Sequence, residues 1–225
     1  MARHDKHDGK SDLPLDITSQ SGDQPLRFFY KEAFLLPERA AELFALATTA
    51  KSAGGLGIGI KGPKGGANRS CTICRDKAKR VVSKKRQPNY VLDGGNVDDV
   101  IRPFRKLVEE VEVFIRQKVT AAEFECTLPA SGFDWAYVRS YLPANKTQGG
   151  SDVRDKKDRG IGLHRDANVD PATPICGISL GGTRDFQLCH GGSSSQTVAL
   201  QHGSLYVILP PTNTQCTCEG KSEKR

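Results

Sequence analysis

The amino-acid sequence predicts an α+β fold in which two helices precede a β-sandwich or jelly-roll core. The two segments with helical periodicity both lie in the first 120 of the 225 residues. Beyond residue 130 the apolar pattern changes to a period of two, which is typical of half-buried strands. Hydrophobic residues make up 37% of the chain, which is low but sufficient for one core. We therefore expect one domain with short extensions.

Composition along the chain predicts a polar N-terminal tail, a folded domain and the cellular compartment. Residues 1–25 are polar and charged, lack the apolar stretch of a signal peptide, and predict a disordered tail. Residues 26–225 predict the folded domain. The seven cysteines follow no regular spacing, which favours a reducing compartment. No apolar run approaches the ~18 residues of a membrane span. We expect a nuclear or cytoplasmic protein that is not secreted and does not enter a membrane.

Two helices are predicted in the N-terminal half. Residues 27–55, RFFYKEAFLLPERAAELFALATTAKSAGG, indicate a short strand and then a helix whose first turn suits Pro37. Its apolar positions recur at helical spacing and are Ala40, Leu43, Phe44 and Ala47. Residues 101–119, IRPFRKLVEEVEVFIRQKV, form the clearest amphipathic pattern. The apolar face of that second helix comprises Phe104, Leu107, Val108, Val111 and Ile115.

Three later segments predict antiparallel strands and the core of about residues 130–218. FDWAYVRSY, residues 133–141, has a period of two, and its alternate positions are Phe133, Trp135, Tyr137, Arg139 and Tyr141. ICGISLGGTRDFQLCH, residues 175–190, and TVALQHGSLYVIL, residues 197–209, are further strands separated by the turn GGSSSQ.

A basic segment lies between the two helices. Residues 54–86 are rich in glycine and lysine and predict a long irregular loop. Within it, residues 75–86 contain seven basic residues and one acid, so 7 − 1 = +6 of the net charge of +7 falls there. The basic residues are Arg75, Lys77, Lys79, Arg80, Lys84, Lys85 and Arg86. This concentration predicts a polyanionic partner such as nucleic acid, with a solvated face or a targeting signal as the alternatives.

Two short motifs in this loop lack the neighbouring elements that would support their usual functions. GIGIKG, residues 57–62, matches GxGxxG but follows a helix and opens none, so the dinucleotide interpretation fails. Cys71 and Cys74 form a single CxxC. With Cys216 and Cys218 they would offer four thiolates to zinc, an interpretation that depends on their meeting in the fold.

A histidine and an aspartate two residues apart suggest a metal site. They are His164 and Asp166, within GIGLHRDANVDP. In a strand, residues two apart point to one face, so both side chains would converge while Arg165 faces away. Imidazole and carboxylate together suit a divalent metal. The alternative is a surface loop that carries a His and an Asp by chance.

Read in order, FDWAYVRSY, GIGLHRDAN, PICGISLGGTRDFQL and GSLYVILPPTNT resemble the AlkB-type Fe(II)/2-oxoglutarate-dependent dioxygenases. The most similar members repair alkylated bases in duplex DNA. The resemblance covers roughly residues 27–218. It implies a double-stranded β-helix (jelly-roll) core with N-terminal helices and a basic nucleotide-recognition loop.

The resemblance also implies a site and a reaction. His164 and Asp166 match the first two ligands of a 2-His-1-carboxylate iron site and would be the catalytic pair. Tyr141 matches the tyrosine that hydrogen-bonds 2-oxoglutarate, although a packed core aromatic is the alternative. Arg184 lies in the Arg-Asp-Phe run beside the active site and is a substrate candidate.

The implied reaction uses Fe(II), 2-oxoglutarate and O2 to hydroxylate an alkyl group on a base nitrogen, which then leaves as an aldehyde. The base must leave the stack, so the expected partner is nucleic acid, duplex DNA in the first place and RNA in the second, bound by a monomer. Val81 and Val82 are the apolar candidates for a wedge between base pairs. A short buried segment is the alternative for these two valines.

Several positions depart from the family pattern. Arg139 replaces the usual Asn two residues before Tyr141, although an arginine can also reach a carboxylate of the cosubstrate. Asn168 replaces an acidic residue that follows the metal ligands, and a polar insertion separates Tyr141 from His164.

The largest departure is at the C-terminal end. The position of the second histidine ligand is Cys218, and neither His190 nor His202 falls there. The arginine that pairs with the far carboxylate of 2-oxoglutarate has no counterpart. The sequence therefore predicts an incomplete core with Cys218 as the substitute ligand and impaired activity. A spliced or frame-shifted product and a noncatalytic nucleic-acid-binding protein that retains the fold both remain open.

Overall fold

The computed structural model describes residues 15–17, 26–58, 70–74, 90–91, 99–119, 126–139, 170–190, 194–210, 212 and 216–222. These residues form a mixed fold of helices and mainly antiparallel sheets. The helices are α1 (Pro37–Thr48) and α2 (Arg102–Lys118), with a 3-10 turn at Lys51–Ala53. The strands are β1 (Leu15–Ile17), β2 (Leu26–Lys31), β3 (Ser70–Cys74), β4 (Tyr90–Val91), β5 (Trp135–Arg139), β6 (Ile175–Ile178), β7 (Arg184–His190), β8 (Ser194–Leu200), β9 (Leu205–Ile208) and β10 (Cys216–Ser222).

The central sheet has both faces covered. Its strands run in the order β1-β2-β9-β6, and every neighbouring pair is antiparallel. Successive residues alternate between two apolar cores: Phe29 and Val207 pack toward the helices, while Phe28 and Ile208 pack toward a second sheet. Burial on both faces explains the nearly continuous apolar sequence of β2 and β9.

The helices cover one face of this sheet. Helix α1 begins at Pro37, whose fixed φ suits the first helical turn, and α2 has Pro103 as the second residue of its first turn. The buried side chains recur three and four residues apart, as the sequence predicts, and are Ala40, Leu43, Ala47, Phe104, Leu107, Val111 and Ile115. Phe44 does not join them. It is 42% exposed because it lies at the edge of the α1 interface, where its ring meets His202 edge-on.

A second sheet covers the other face. Its order is β10-β7-β8, and Phe186 and Leu188 of β7 pack against Phe28 and Ile208 of the central sheet. The hydroxyl of Tyr30 joins the two layers, donating to the carbonyl of Ala199 at 3.1 Å and accepting from the N–H of Gln201 at 3.2 Å. Two sheets thus face each other across an apolar layer, with helices outside the first.

A third sheet extends the helix-side core. Its order is β4-β3-β5, and Cys71, Ile73, Ala136 and Val138 pack into that core. The prediction of an irregular loop over residues 54–86 is therefore wrong at Ser70–Cys74. This strand was not predicted because its alternating pattern is short and is surrounded by glycines and lysines.

The two long predicted strands are each divided in two. Residues 175–190 form β6 and β7, and the chain turns between them at Gly181, whose φ is +98°. Residues 194–209 supply β8 and β9, so β8 begins inside the segment predicted as a turn. The sequence pattern did not predict β10, whose seven residues pair with the whole of β7.

Candidate functional site

The predicted metal ligands and the basic segment lie outside the described residues. This applies to His164, Asp166 and Tyr141, to Val81 and Val82, and to residues 75–86. Within the described part of the chain, no group of three or more His, Cys, Asp or Glu side chains could hold a metal ion. The structure does describe Arg139 and Arg184, and the backbone of Cys218.

Strand β5 places Arg139 on an exposed sheet face. Ala136 and Val138 point into the core, so the alternate positions Tyr137 and Arg139 share the opposite face. The Tyr137 side chain is 51% exposed. The guanidinium carbon of Arg139 lies 5.4 Å from the centroid of the Tyr137 ring, within cation–π range. An arginine held in this way still presents N–H groups at its edge to a carboxylate or a phosphate.

Two side chains of α2 position the segment that leads into β5. The carboxylate of Glu112 accepts a hydrogen bond of 2.8 Å from the N–H of Phe133. The guanidinium of Arg116 donates to the carbonyls of Leu128 at 3.3 Å and Pro129 at 2.5 Å. The turn between them needs Gly132, because its φ is +76° and an added Cβ would lie 2.2 Å from the Glu112 carboxylate. Sequence patterns gave no signal for these contacts, since they join residues 12 to 21 positions apart.

Arg184 opens β7 on a different sheet from Arg139. It is half-buried, and its register partners are Leu200 of β8 and Ser222 of β10. Two residues further along, Phe186 is buried in the layer between the two sheets. Within the Arg-Asp-Phe run, Phe186 therefore packs in the core. Arg184 lies at the beginning of the strand, next to the turn at Gly181.

Cys218 takes a central position in β10. Its backbone pairs opposite Leu188, a fully buried residue of β7. The position that the family pattern assigns to the second histidine therefore lies on a regular strand beside the inter-sheet core.

His202 has a structural role. Its Nδ1 accepts a hydrogen bond of 2.8 Å from the N–H of Gly181, and its ring meets Phe44 edge-on. An added Cβ at Gly181 would lie 2.9 Å from the Phe44 ring. These contacts fix the turn that leads from β6 to β7, just before Arg184.

Thr212, within the Pro-Thr-Asn-Thr run, also has a structural role. It is 2% exposed, and its hydroxyl accepts a hydrogen bond of 2.7 Å from the N–H of Arg27. The N–H of Leu209 donates to the carbonyl of Arg27 at 3.0 Å. Together these bonds hold the chain after β9 to the start of β2, across 185 residues of sequence.

The cysteine positions do not favour the zinc interpretation of the CxxC motif. Cys71 is buried in the helix-side core, and burial raises the pKa of its thiol to about 11, against a smaller lowering by Lys51. Positions 71 and 74 also lie in one strand, where residues three apart occupy opposite faces.

Two other cysteines, Cys126 in the core and the partly buried Cys176 packed against it, have the same character. Burial raises the pKa of the Cys126 thiol to about 11. Burial also raises the pKa of the Cys176 thiol, and Cys126 raises it further. The two segments are joined by a hydrogen bond of 3.0 Å from the N–H of Thr127 to the carbonyl of Ala172. These thiols behave as small apolar core groups.

Comparison with known proteins gives matches to solved structures. No protein-family model matches the sequence, and no curated protein matches it. The solved structure of OsALKBH1 is similar over 88% of this chain and 85% of that chain, with a TM-score of 0.49 and 15% sequence identity. A TM-score below 0.5 does not establish a shared fold, so function has to rest on the residues of this chain. In the described segments, no helix is both long and apolar enough to cross a membrane.

Proposed function

We propose that this chain is an AlkB-type Fe(II)/2-oxoglutarate-dependent dioxygenase that removes alkyl groups from bases in DNA or RNA, with impaired activity. One observation carries the proposal. His164-Arg-Asp166, Arg184-Asp-Phe186 and Pro211-Thr-Asn-Thr214 follow one another in the order of the duplex-DNA-repair members. The architecture is compatible, since it is a mixed fold of helices and mainly antiparallel sheets.

The proposed metal ligands are His164 and Asp166. Their imidazole and carboxylate donors suit Fe(II), whose preferred protein site has two histidines and one carboxylate. The chemistry that Fe(II) supplies at such a site is O2 activation, coupled to decarboxylation of 2-oxoglutarate to succinate. The third ligand position is Cys218, and a thiolate beside this chemistry is readily oxidised. Impaired activity follows from that substitution.

The proposed cosubstrate contacts are Tyr141 and Arg139. A tyrosine hydroxyl donates one hydrogen bond to a carboxylate. The guanidinium of Arg139, stacked over Tyr137, would add a charge-assisted contact through its N–H edge. Stacking restricts the side chain before the ligand arrives, so less conformational entropy is lost on binding.

The proposed partner is nucleic acid, with duplex DNA preferred. The seven basic residues at positions 75–86 would contact phosphates, and Arg184 would lie near the substrate base. The alkylated base must be extruded from the stack to reach His164 and Asp166. We propose that the protein acts as a monomer in the nucleus or cytoplasm.

The test is succinate formation from 2-oxoglutarate by purified protein with Fe(II), ascorbate and an N-alkylated oligonucleotide. The expected result is slow turnover that depends on the alkylated base and is lost in His164→Ala and Asp166→Ala. Turnover that persists in both variants would rule out the proposed ligands.

A second candidate is a noncatalytic nucleic-acid-binding protein that retains the dioxygenase fold. The observation that favours it is Cys218 at the position of a metal-binding histidine. Such a protein would bind the oligonucleotide and form no succinate at any iron concentration. Binding and turnover measured on one preparation separate the two candidates.

A further inference from the structure

The outer face of the third sheet carries an aromatic ring that the core does not use. On β5, Ala136 and Val138 supply the apolar contacts to the helix-side core. Tyr137 points the other way and is 51% exposed, with the guanidinium carbon of Arg139 at 5.4 Å from its ring centroid. The exposed ring is therefore accessible to a binding partner.

The charge of this sheet is suited to a polyanion. The strands β3, β4 and β5 read SCTIC, YV and WAYVR, so Arg139 is the one charged residue among them. Arg139 is cationic and the chain carries a net charge of +7, so electrostatics favour an approaching phosphate backbone. A purely apolar protein partner would match this arrangement less well.

The geometry matches the way proteins hold unpaired bases. Exposed aromatic rings on a sheet stack on bases irrespective of sequence, because every base has a π face. The Arg139 guanidinium restricts the Tyr137 ring, and a restrained ring loses little entropy when a base stacks on it.

We propose that the Tyr137–Arg139 face of the third sheet binds single-stranded nucleic acid, with one unpaired base stacked on the Tyr137 ring. A base can stack on the Tyr137 ring only when its own π face is open, so this site selects unpaired bases over the closed stack of a duplex. Residues two apart on a strand lie ~6.6 Å apart. The stacked base would therefore lie next to Arg139, which the proposed function assigns to 2-oxoglutarate. Binding at Tyr137 requires neither iron nor catalysis.

The test is fluorescence anisotropy with the full chain and a labelled 12-nucleotide single strand, as DNA and as RNA, without Fe(II) or 2-oxoglutarate. Loss of one base–aromatic stack should weaken binding by roughly 5- to 100-fold. We expect this loss in Tyr137→Leu and near-native affinity in Tyr137→Phe, which keeps the ring. Phe44→Leu is the matched control, because Phe44 is also a half-exposed aromatic but lies on α1.

A second measurement uses only the wild-type chain and so does not depend on the folding of any variant. The wild-type chain is compared on the normal strand and on a strand with abasic sites, which keeps the phosphates and removes the bases. The proposal expects weaker binding to the abasic strand. Equal affinity for the two strands, or unchanged affinity of folded Tyr137→Leu for both DNA and RNA, would overturn it. Either result would leave the proposed dealkylation untouched, since that is measured by succinate.

Discussion

The rings of Tyr206 and Phe186 stack across the two facing sheets, with centroids 4.9 Å apart and planes inclined by 29°. Phe28 stacks on both of them, at 6.1 Å from Tyr206 and 5.8 Å from Phe186. The position opposite Tyr206 on β6 is Gly177. A Cβ there would lie 2.2 Å from the Tyr206 ring, so this glycine provides the space in which the aromatic cluster fits.

Replacing Gly177 by alanine should destabilise the fold. The added methyl group forces the Tyr206 ring out of its stack, and overpacking of this kind costs about 1–3 kcal/mol. The entropy gained by removing a glycine is about 0.4–1 kcal/mol and offsets only part of that cost. We expect Tm to fall by up to about 10 °C in thermal unfolding. Gly182→Ala is the control, because nothing lies within 4 Å of its added Cβ. Equal melting temperatures for the two variants would contradict this packing.

The Glu112 carboxylate should matter more than its exposed neighbour on α2. Glu112→Ala leaves the part-buried N–H of Phe133 without this acceptor, which costs about 1–3 kcal/mol. Glu110→Ala removes an exposed pair with Lys106 at 4.0 Å, worth only about 0.3–0.5 kcal/mol. Urea unfolding of both variants measures the difference. Glu112→Gln retains an acceptor oxygen and should be nearly as stable as the wild type. If it is as unstable as Glu112→Ala, the negative charge of Glu112, and not its hydrogen bond, stabilises the fold.

The helices were predictable because their signal is local and long. The apolar residues of α2 recur over about three turns, and the predicted range 101–119 differs from Arg102–Lys118 by one residue at each end. The position of β5 was also predictable, since the aromatic residues Trp135 and Tyr137 lie two apart, although the strand packs Ala136 and Val138 into the core. The predicted start at residue 133 lies two residues before the strand begins, because periodicity does not mark where pairing begins. The predicted end at residue 141 lies outside the described residues.

Other features depend on contacts between distant residues and left no local signal. The break between β6 and β7 requires a positive φ at Gly181 and a hydrogen bond to His202, 21 residues away. Strand β10 has a polar sequence, CTCEGKS, and is held by pairing with β7 along its whole length. The metal ligands were inferred from motif order and stay predictions, since His164 and Asp166 lie outside the described residues.

The buried thiols should be slow to react in the native protein. A pKa of about 11 for Cys71 and Cys126, against 9.0 for an unperturbed thiol, lowers the thiolate fraction at pH 8 by about 100-fold. Alkylation by iodoacetamide, resolved by mass spectrometry, should be slow at both sites and become fast in urea. Because folding raises these pKa values, their contribution to stability is complete below pH 9 and is lost as the pH rises toward 11. A free energy of unfolding that rises across this range would contradict the assignment of both thiols to the core.

The basic segment should contribute a salt-dependent affinity for duplex DNA. If residues 75–86 contact phosphates, log affinity falls with log salt by ~0.9 for each contact. The variant with Lys84→Gln, Lys85→Gln and Arg86→Gln should show a shallower slope, by up to about 2.7 if all three make contacts. Anisotropy titrations with duplex DNA at several salt concentrations measure this slope. An unchanged slope would favour a targeting signal, and the single-strand test at Tyr137 is independent of it.

The Cys218→His variant should gain activity. This change supplies the second imidazole of a 2-His-1-carboxylate site together with His164 and Asp166. Loss of a group that merely orients a ligand lowers metal affinity or activity by ~10–100-fold, so gain of a direct ligand should raise succinate formation by at least about tenfold. Fe(II) affinity, measured by calorimetry without cosubstrate, should rise in parallel and gives a readout independent of turnover. Cys218→Ala is the matched control, since it removes the thiol and supplies no ligand. Because Cys218 pairs within the regular strand β10, opposite Leu188, either change leaves the backbone ladder intact. If Cys218→His and Cys218→Ala bind Fe(II) equally, position 218 is not a metal ligand and the noncatalytic nucleic-acid-binding protein becomes the better account.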